Sequence, residues 1–505
     1  MRVLLVTPFG FQNVGIRLLS AVLVREGIDC SILFLKRWIN NRVFPPTETE
    51  WSLFENHVKE LAPDVVGIGF GTPYLKLVTE MTERIRRVSK AHVTWGGTHP
   101  TMVPEDCVGR ADSVILGEGE APLVDLVNAL KSGADITGIK NIWTRAGDRE
   151  FRNELRPLIA DLDTLPHERM LEAPRAFIAE NRMYQGDPLH NYPVYRALAS
   201  RYCPFHCAFC YNSQYRDIYD SKGRYFRNRS VGNVMIELER VRREMPRTRR
   251  IHFDDDTFVF PVPWIEEFAE EYPRRIGLPF DIMLYPGALG EKAIRLLAKA
   301  GLTQVQIGIQ SASEEELARD HARRDANDAI RKLAALFKEL KVEPVYDIIL
   351  DNPDATRADK DATLKFMVDL PRPYNLFLYS LTFFPKSEVT RNLLERHVIT
   401  EEQIETRATK TFRQFRLTLD YPRPAEEKYY ASMISLASKN FLPRPLIRWL
   451  ARRESLRRRP EALRWFAEGA NMIKLAKLAA RAYWRGEFGV GNVPLLTRRY
   501  ARMIQ

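Results

Sequence analysis

Three cysteines stand close together in Arg201-Tyr-Cys-Pro-Phe-His-Cys-Ala-Phe-Cys-Tyr-Asn212, at positions 203, 207 and 210. The spacing Cys-x3-Cys-x2-Cys puts three thiolates on one short loop. A structural zinc ion usually completes four ligands from paired Cys and His. A 4Fe–4S cube also has four corners, and cysteine thiolates are its usual ligands. Three cysteines leave one iron open, and an open iron can chelate the amino and carboxylate groups of a small molecule. The competing arrangement is a zinc loop that borrows His206 as its fourth ligand. His206 lies directly beside Cys207, which would point its ring away from a shared metal.

A loop that does such chemistry needs a frame, and the chain supplies two strand–helix series. In residues 1–143, short apolar runs predict strands at Arg2–Thr7, Cys30–Leu35, Asp64–Phe70, His92–Trp95 and Asp112–Leu116. Val14–Gly27 and Tyr74–Val88 read as helices; the second places Leu75, Val78, Met81, Ile85 and Val88 on one face. Alternation with short connections predicts a Rossmann-like, doubly wound parallel sheet. Ligands of such sheets sit beyond the carboxyl ends of the strands, here Thr7–Gly15, Phe70–Tyr74, Gly96–Thr101 and Gly117–Glu120. Their glycines would let the backbone approach a bulky ligand. Residues 144–190 read as an extended linker. In residues 191–395 a second series predicts strands at Tyr195–Ser200, Ile251–Phe253, Asp281–Leu284, Gln304–Ile309, Val345–Leu350 and Leu376–Thr382. Helices Val231–Glu244, Glu291–Ala300 and Ala326–Leu340 separate some of them. Six such units make a partial (β/α)6 barrel, whose chemistry belongs at the C-terminal strand ends. The cysteine loop follows its first strand. Residues 396–505 read as a helical segment broken by prolines.

At 505 residues, 45% hydrophobic and 28% charged, the chain has the composition of a soluble multidomain protein. Beyond the loop there are only Cys30 and Cys107, so neither a disulfide framework nor a second cysteine-ligated cluster is expected. The apolar start breaks at Pro8, too soon for a signal peptide. No run reaches the ~20 apolar residues that span a bilayer, and a reducing cytoplasm is the expected location. The net charge of +11 is uneven: residues 401–505 carry 22 Lys/Arg against 10 Asp/Glu, which leaves the first 400 near neutral. Lys474, Lys477, Arg481 and Arg485 recur at helical steps near Phe466, Ile473 and Trp484. This pattern suits either helices packed on the barrel with a solvated basic face or peripheral contact with an anionic membrane. Nucleic acid is not the expected partner.

Several motifs carry a resemblance over residues 1 to about 390. They are the cysteine loop with Phe209, Gly96-Gly-Thr-His-Pro-Thr101, Leu116-Gly-Glu-Gly-Glu120, Phe226-Arg-Asn-Arg-Ser230, Phe253-Asp-Asp-Asp-Thr-Phe258, Ala300-Gly-Leu302, Ile307-Gly-Ile-Gln-Ser311 and Phe383-Phe-Pro385. Together they resemble the cobalamin-binding-domain radical S-adenosylmethionine (radical SAM) enzymes. The resemblance implies that Cys203, Cys207 and Cys210 hold a 4Fe–4S cluster and that Phe209 lies by the adenine of S-adenosylmethionine. Asp255 and Asp256 would meet its methionine end, Gln310 and Ser311 its ribose, and Arg323 its carboxylate; many relatives have Glu at the Gln310 position. Cobalamin would lie over Phe70, Thr72 and Tyr74, with close approach at Gly96, Gly97 and Gly117. Relatives that ligate cobalt through histidine use Asp-x-His-x-x-Gly after the first strand. This chain has Pro8-Phe-Gly-Phe-Gln-Asn-Val-Gly15 there, so cobalamin without a histidine ligand is expected, and His99 reads as structural. Lys386 also departs from the family's Pro-Gly-Thr. Methylthiotransferases share the loop but carry further N-terminal cluster cysteines that are missing here.

The activity implied is reductive cleavage of S-adenosylmethionine to a 5′-deoxyadenosyl radical, with electrons from an external flavodoxin or ferredoxin. The leading expectation is cobalamin-dependent radical methylation of an unactivated carbon in a small-molecule or lipid-linked substrate. Cyclisation, oxidation or rearrangement without methyl transfer is the alternative. A non-enzymatic metal- or corrinoid-binding module with a basic tail is the contrasting class.

Overall fold

The computed structural model describes residues 1–36, 44–167, 173–324, 327–408 and 423–484. The N-terminal half is built on strands β1 (Arg2–Pro8), β2 (Asp29–Leu35), β3 (Val65–Gly69), β4 (His92–Gly96), β5 (Ser113–Ile115), β6 (Ile142–Ala146), β7 (Arg149–Arg152), β8 (Arg175–Ala179) and β9 (Arg182–Gln185). They form one sheet in the order β7-β6-β5-β4-β3-β1-β2-β8-β9. The central pairs are parallel, and their side chains, such as Val3, Leu4, Leu5 and Val6, are fully buried. Helices cover both faces, and a continuous apolar run is what a doubly covered strand requires. Helix Leu75–Val88 buries Val78, Met81 and Ile85, as its spacing predicted.

Residues 144–190 are not simply an extended linker. They supply β7, β8, β9 and most of β6, so the sheet is extended at both edges. Periodicity cannot announce such short edge strands, which depend on a neighbour to pair with. Helix Glu48–Leu61 is a further element not expected from the sequence. Thr47 and Glu50 form a reciprocal capping box at its start.

The second half holds β10 (Val194–Ala197), β11 (Ser200–Arg201), β12 (Arg227–Asn228), β13 (Arg250–Phe253), β14 (Phe280–Leu284), β15 (Leu302–Gln310), β16 (Glu343–Leu350) and β17 (Asn375–Ser380). Six of these make an all-parallel sheet in the order β10-β13-β14-β15-β16-β17, the expected partial barrel. Outward residues such as Ile251, Phe253 and Ile282 are buried against helices, while inward residues such as His252 and Asp281 are only half-buried. The wall is therefore packed on the outside and polar inside. β11 and β12 form a separate antiparallel ribbon beside the barrel mouth.

Helix Ala425–Ala437 is buried almost throughout and packs on barrel helix Arg357–Asp369. Many basic residues of the C-terminal part are paired. Arg448 meets Asp369 at 2.7 Å, Arg457 meets Asp361 at 2.6 Å and Arg464 meets Glu468 at 2.7 Å. Lys474 points at the barrel base, where it bonds Asn375 and lies 3.4 Å from the Tyr374 carbonyl. It therefore does not belong to a solvated basic stripe; Arg485 lies outside the described residues. Among the described residues no helix is long and apolar enough to cross a membrane.

Candidate active site

The cysteine loop is held from three sides. Ala208 donates its N–H to the His321 carbonyl (3.0 Å) and accepts from Val389 N (3.1 Å). Ser213 Oγ donates to the Cys207 carbonyl (2.8 Å), and Arg216 donates to the Cys203 carbonyl (3.0 Å). Helix Tyr211–Ile218 begins directly after Cys210, so its partly positive N-terminus faces the loop and favours thiolates. Burial pushes the Cys203 and Cys210 thiols up to about 12. They are therefore protonated until a cation displaces the protons, as cluster assembly does. His206 Nδ1 sits 3.8 Å from Glu388. Among the described residues no three His, Cys, Asp or Glu side chains gather around a single ion position. A cube places each thiolate on its own iron corner and accepts a wider set.

Around the loop the barrel mouth collects several of the expected residues. Phe209 is half-buried, with its ring at 5.1 Å from His321, and packs on the apolar group of Leu381, Phe383 and Val389. Asp256 is exposed at the mouth and accepts a 2.9 Å hydrogen bond from the Tyr211 hydroxyl. Surrounding protein raises its carboxyl above the usual range, against the lowering by hydrogen bonds from Asn212 and Tyr211. Arg323 is buried rather than solvated. Its guanidinium lies 4.5 Å from the centre of the Tyr285 ring and donates to the Gly308 carbonyl at 2.7 Å. Tyr285 in turn stacks on Phe205 of the cysteine loop at 3.8 Å. Gln310 ends β15 with φ +65°, where pairing with β16 slips. Asp256, Arg323, Gln310 and Phe209 are thus the residues at this mouth that could hold S-adenosylmethionine.

Two expected contacts are put to other use. Asp255 is fully buried; it accepts from Ala199 N (3.0 Å) and from the Ser200 hydroxyl. Burial pushes its carboxyl up to about 7 against those hydrogen bonds. It anchors the lead into the cysteine loop and does not face the mouth. Ser311 is also buried, its hydroxyl donating to Glu316 (2.6 Å) and lying 3.0 Å from Thr363 Oγ1, which removes it from a ribose.

The strand ends of the first sheet bring larger corrections. Phe70 is buried, packed on Trp95 at 5.3 Å and His99 at 5.7 Å. Thr72 is buried as well, 3.2 Å from His99 Nδ1. His99 is a core residue: burial pulls its imidazole down to about 4, and it stays neutral. A Cβ on Gly96 would come 3.7 Å from the Ile115 carbonyl oxygen, and one on Gly97 would come 2.8 Å from that of Phe70. At Gly117, with φ +70°, a Cβ would overlap the Tyr219 hydroxyl. On the Cβ side, the room at Gly97 and Gly117 is thus taken up by protein. Tyr74 is stacked on Phe9 at 5.4 Å, and at Gly69 an added Cβ meets nothing within 4 Å.

Other residues of the site stood inside the quoted motifs without an assigned role, as Glu118, Glu120 and Arg227 did, or in no motif at all, as His252 and Asp281 did. Glu118 pairs with Arg201 (2.9 Å) and Arg227 (2.7 Å), and Glu120 pairs with Arg201. Lys386 reaches Glu105 of the first half at 2.9 Å. Inside the barrel, His252 is hydrogen-bonded to Asp281 and lies 3.2 Å from Asp254, which Arg196 meets at 3.1 Å. Burial alone would lower this imidazole, but the two carboxylates more than reverse that and raise it to about 9. Its contribution to stability is therefore complete below the unfolded value near 6.5 and is lost as pH rises through 9, on the order of 3 kcal/mol. Urea unfolding of His252→Gln is expected to show a flatter alkaline limb between those limits. An unchanged slope would mean that His252 is not held as the imidazolium.

The comparisons agree with this geometry. Residues 3–127 match the B12 binding domain family, and residues 198–367 match the radical SAM superfamily. An uncharacterized methyltransferase of Pyrococcus horikoshii is 26% identical over 328 residues, 63% of this chain and 67% of that protein. The anaerobic magnesium-protoporphyrin IX monomethyl ester cyclase of Rubrivivax gelatinosus is 28% identical over 279 residues, 52% of this chain and about half (48%) of its own length. Among solved structures, the radical S-adenosylmethionine methyltransferase TsrM from Kitasatospora setae superposes with a TM-score of 0.62 at 17% identity, over 78% of this chain and 76% of that chain; this likeness concerns the fold. With a B12-binding half and a radical SAM half set mouth to strand ends, this chain belongs to the cobalamin-binding-domain radical SAM enzymes, whose cofactors are a 4Fe–4S cluster, S-adenosylmethionine and cobalamin.

Proposed function

We propose that this enzyme is a cobalamin-dependent radical methyltransferase acting on an unactivated carbon of a small-molecule substrate. The observation that carries the reading is the direct ion pairing of the strand-end loop Gly117–Glu120 with Arg201, two residues before Cys203. It supports a single reaction chamber shared by the two halves. When bound, the cluster with S-adenosylmethionine supplies one-electron hydrogen abstraction, and cobalamin supplies a transferable methyl group.

The chain's own part is positioning and exclusion of water. Cys203, Cys207 and Cys210 hold the three-thiolate side of the cluster. Asp256 accepts from an ammonium group and Arg323 donates to a carboxylate, which fixes both charged groups on the α-carbon of a methionine moiety. Phe209 packs on an adenine, and Gln310 offers its amide to ribose hydroxyls. Phe205 and Tyr285 close the mouth beside Arg323. Tyr74 and Gly69 border the corrin, with no histidine offered to cobalt. Electrons come from an external flavodoxin or ferredoxin.

The name of the Pyrococcus relative favours methyl transfer, and that of the Rubrivivax cyclase favours the alternative, ring closure without it. Anaerobic turnover of the reconstituted holoenzyme with S-[methyl-13C]adenosylmethionine and metabolite extracts separates them. Labelled methyl in product, with 5′-deoxyadenosine and S-adenosylhomocysteine formed together, is the expected result. Product with 5′-deoxyadenosine but neither label nor S-adenosylhomocysteine would replace the reading by the alternative.

A further inference from the structure

β11 and β12 pair so that Arg201 stands directly opposite Arg227. Like charges at facing positions of a two-stranded ribbon repel, and nothing in the ribbon itself offsets them. The counter-charge comes from the other half of the molecule. Glu118 Oε1 lies 2.9 Å from Arg201 and 2.7 Å from Arg227, and Glu120 pairs with Arg201. Two carboxylates thus neutralise two guanidinium groups in a site where the Arg227 and Glu118 side chains are 3% and 9% exposed. Glu118 is itself fixed: its Oε2 accepts from Ile159 N (2.8 Å), and its N–H donates to the Tyr219 hydroxyl (2.9 Å). Tyr202, between Arg201 and Cys203, adopts φ +64°, a costly backbone for a bulky residue. Stacking on Tyr225 at 4.5 Å and the Arg227 guanidinium 5.3 Å from its ring centre hold it there.

We infer that Glu118 and Glu120 are positioning residues for the cluster: the strand-end loop of the B12-binding half sets the conformation in which the ribbon delivers Cys203. This rests on the reading of the three cysteines as cluster ligands, so the experiment has one arm that needs no iron.

In that arm, hydrogen–deuterium exchange is followed on the full-length iron-free chain and on Glu118→Gln/Glu120→Gln, which keeps side-chain volume and removes both charges. Amides of residues 199–210 are expected to exchange roughly tenfold faster in the variant, with β1 and β2 unchanged. In the second arm, loss of iron from the reconstituted proteins to a chelator is expected to quicken by a similar factor. The electron paramagnetic resonance signal of the reduced cluster should also change its response to S-adenosylmethionine. Lys36→Met, which breaks the buried Lys36–Glu50 pair (2.7 Å) elsewhere in the same half, controls for general destabilisation. Unchanged exchange at 199–210, or the same acceleration in Lys36→Met, overturns the inference. A wild-type chain that holds no iron would count against the ligand reading and leave the exchange arm to decide the clamp.

Discussion

Replacing Cys203, Cys207 and Cys210 together by alanine is expected to take the anaerobically reconstituted protein from about four irons per chain to none and to end reductive cleavage of S-adenosylmethionine. The effect should be complete because the loop offers no substitute ligand. His206 pairs with Glu388, and Cys30 and Cys107 are buried in the first half. Both lie in the apolar core of that half, 2% and 0% exposed, where a cluster has no access. Their joint replacement by alanine should therefore leave the iron content unchanged. The folded state should survive the triple change, since hydrogen bonds from Ala208, Ser213 and Arg216 hold the loop backbone. Iron and sulfide analysis, with chromatography of 5′-deoxyadenosine, provides the measurement. A triple variant that keeps both its iron and its cleavage activity would end the cluster reading.

Gly117→Ala is expected to cost about 3 to 5 kcal/mol in chemical denaturation, although it adds one methyl group. Two terms contribute. The residue sits at φ +70°, which any L side chain resists, and its Cβ would stand 2.7 Å from Tyr219 Cζ. Tyr219 belongs to the barrel half, so relief requires either that the halves separate or that the tyrosine leaves its place. Gly133→Ala isolates the first term, because φ is +68° there and nothing lies within 4 Å of the added atom. It should lose only about 1 kcal/mol. In a double-mutant cycle, Tyr219→Ala should cost much less in the Gly117→Ala background than alone. Additive costs would show that the two residues do not meet as described.

Both results turn on whether a feature is local. Cys-x3-Cys-x2-Cys places three sulfurs by chain connectivity alone, so the sequence already carried the chemistry. The same holds for expected helices that lie in long periodic runs, such as Val231–Glu244 and Glu291–Ala300, whose observed bounds are unchanged. Burial of one apolar face selects those elements whatever they pack against. The roles of Phe70, Ser311, Asp255 and Gly117 depended on what lay across from them. A strand-end position gives a residue two options, open mouth or packed interior, and the choice follows from neighbours distant in the chain: Thr363 for Ser311, Ala199 for Asp255, Tyr219 for Gly117. Lys474 shows the same limit, since helical spacing put it on a stripe and only the barrel base at Asn375 determined which way that stripe faces. Sequence alone therefore determined the two cofactor-binding halves and the cluster loop. The tertiary structure decided which strand-end residues are free to touch a cofactor, because that depends on burial and pairing between segments that no local period encodes.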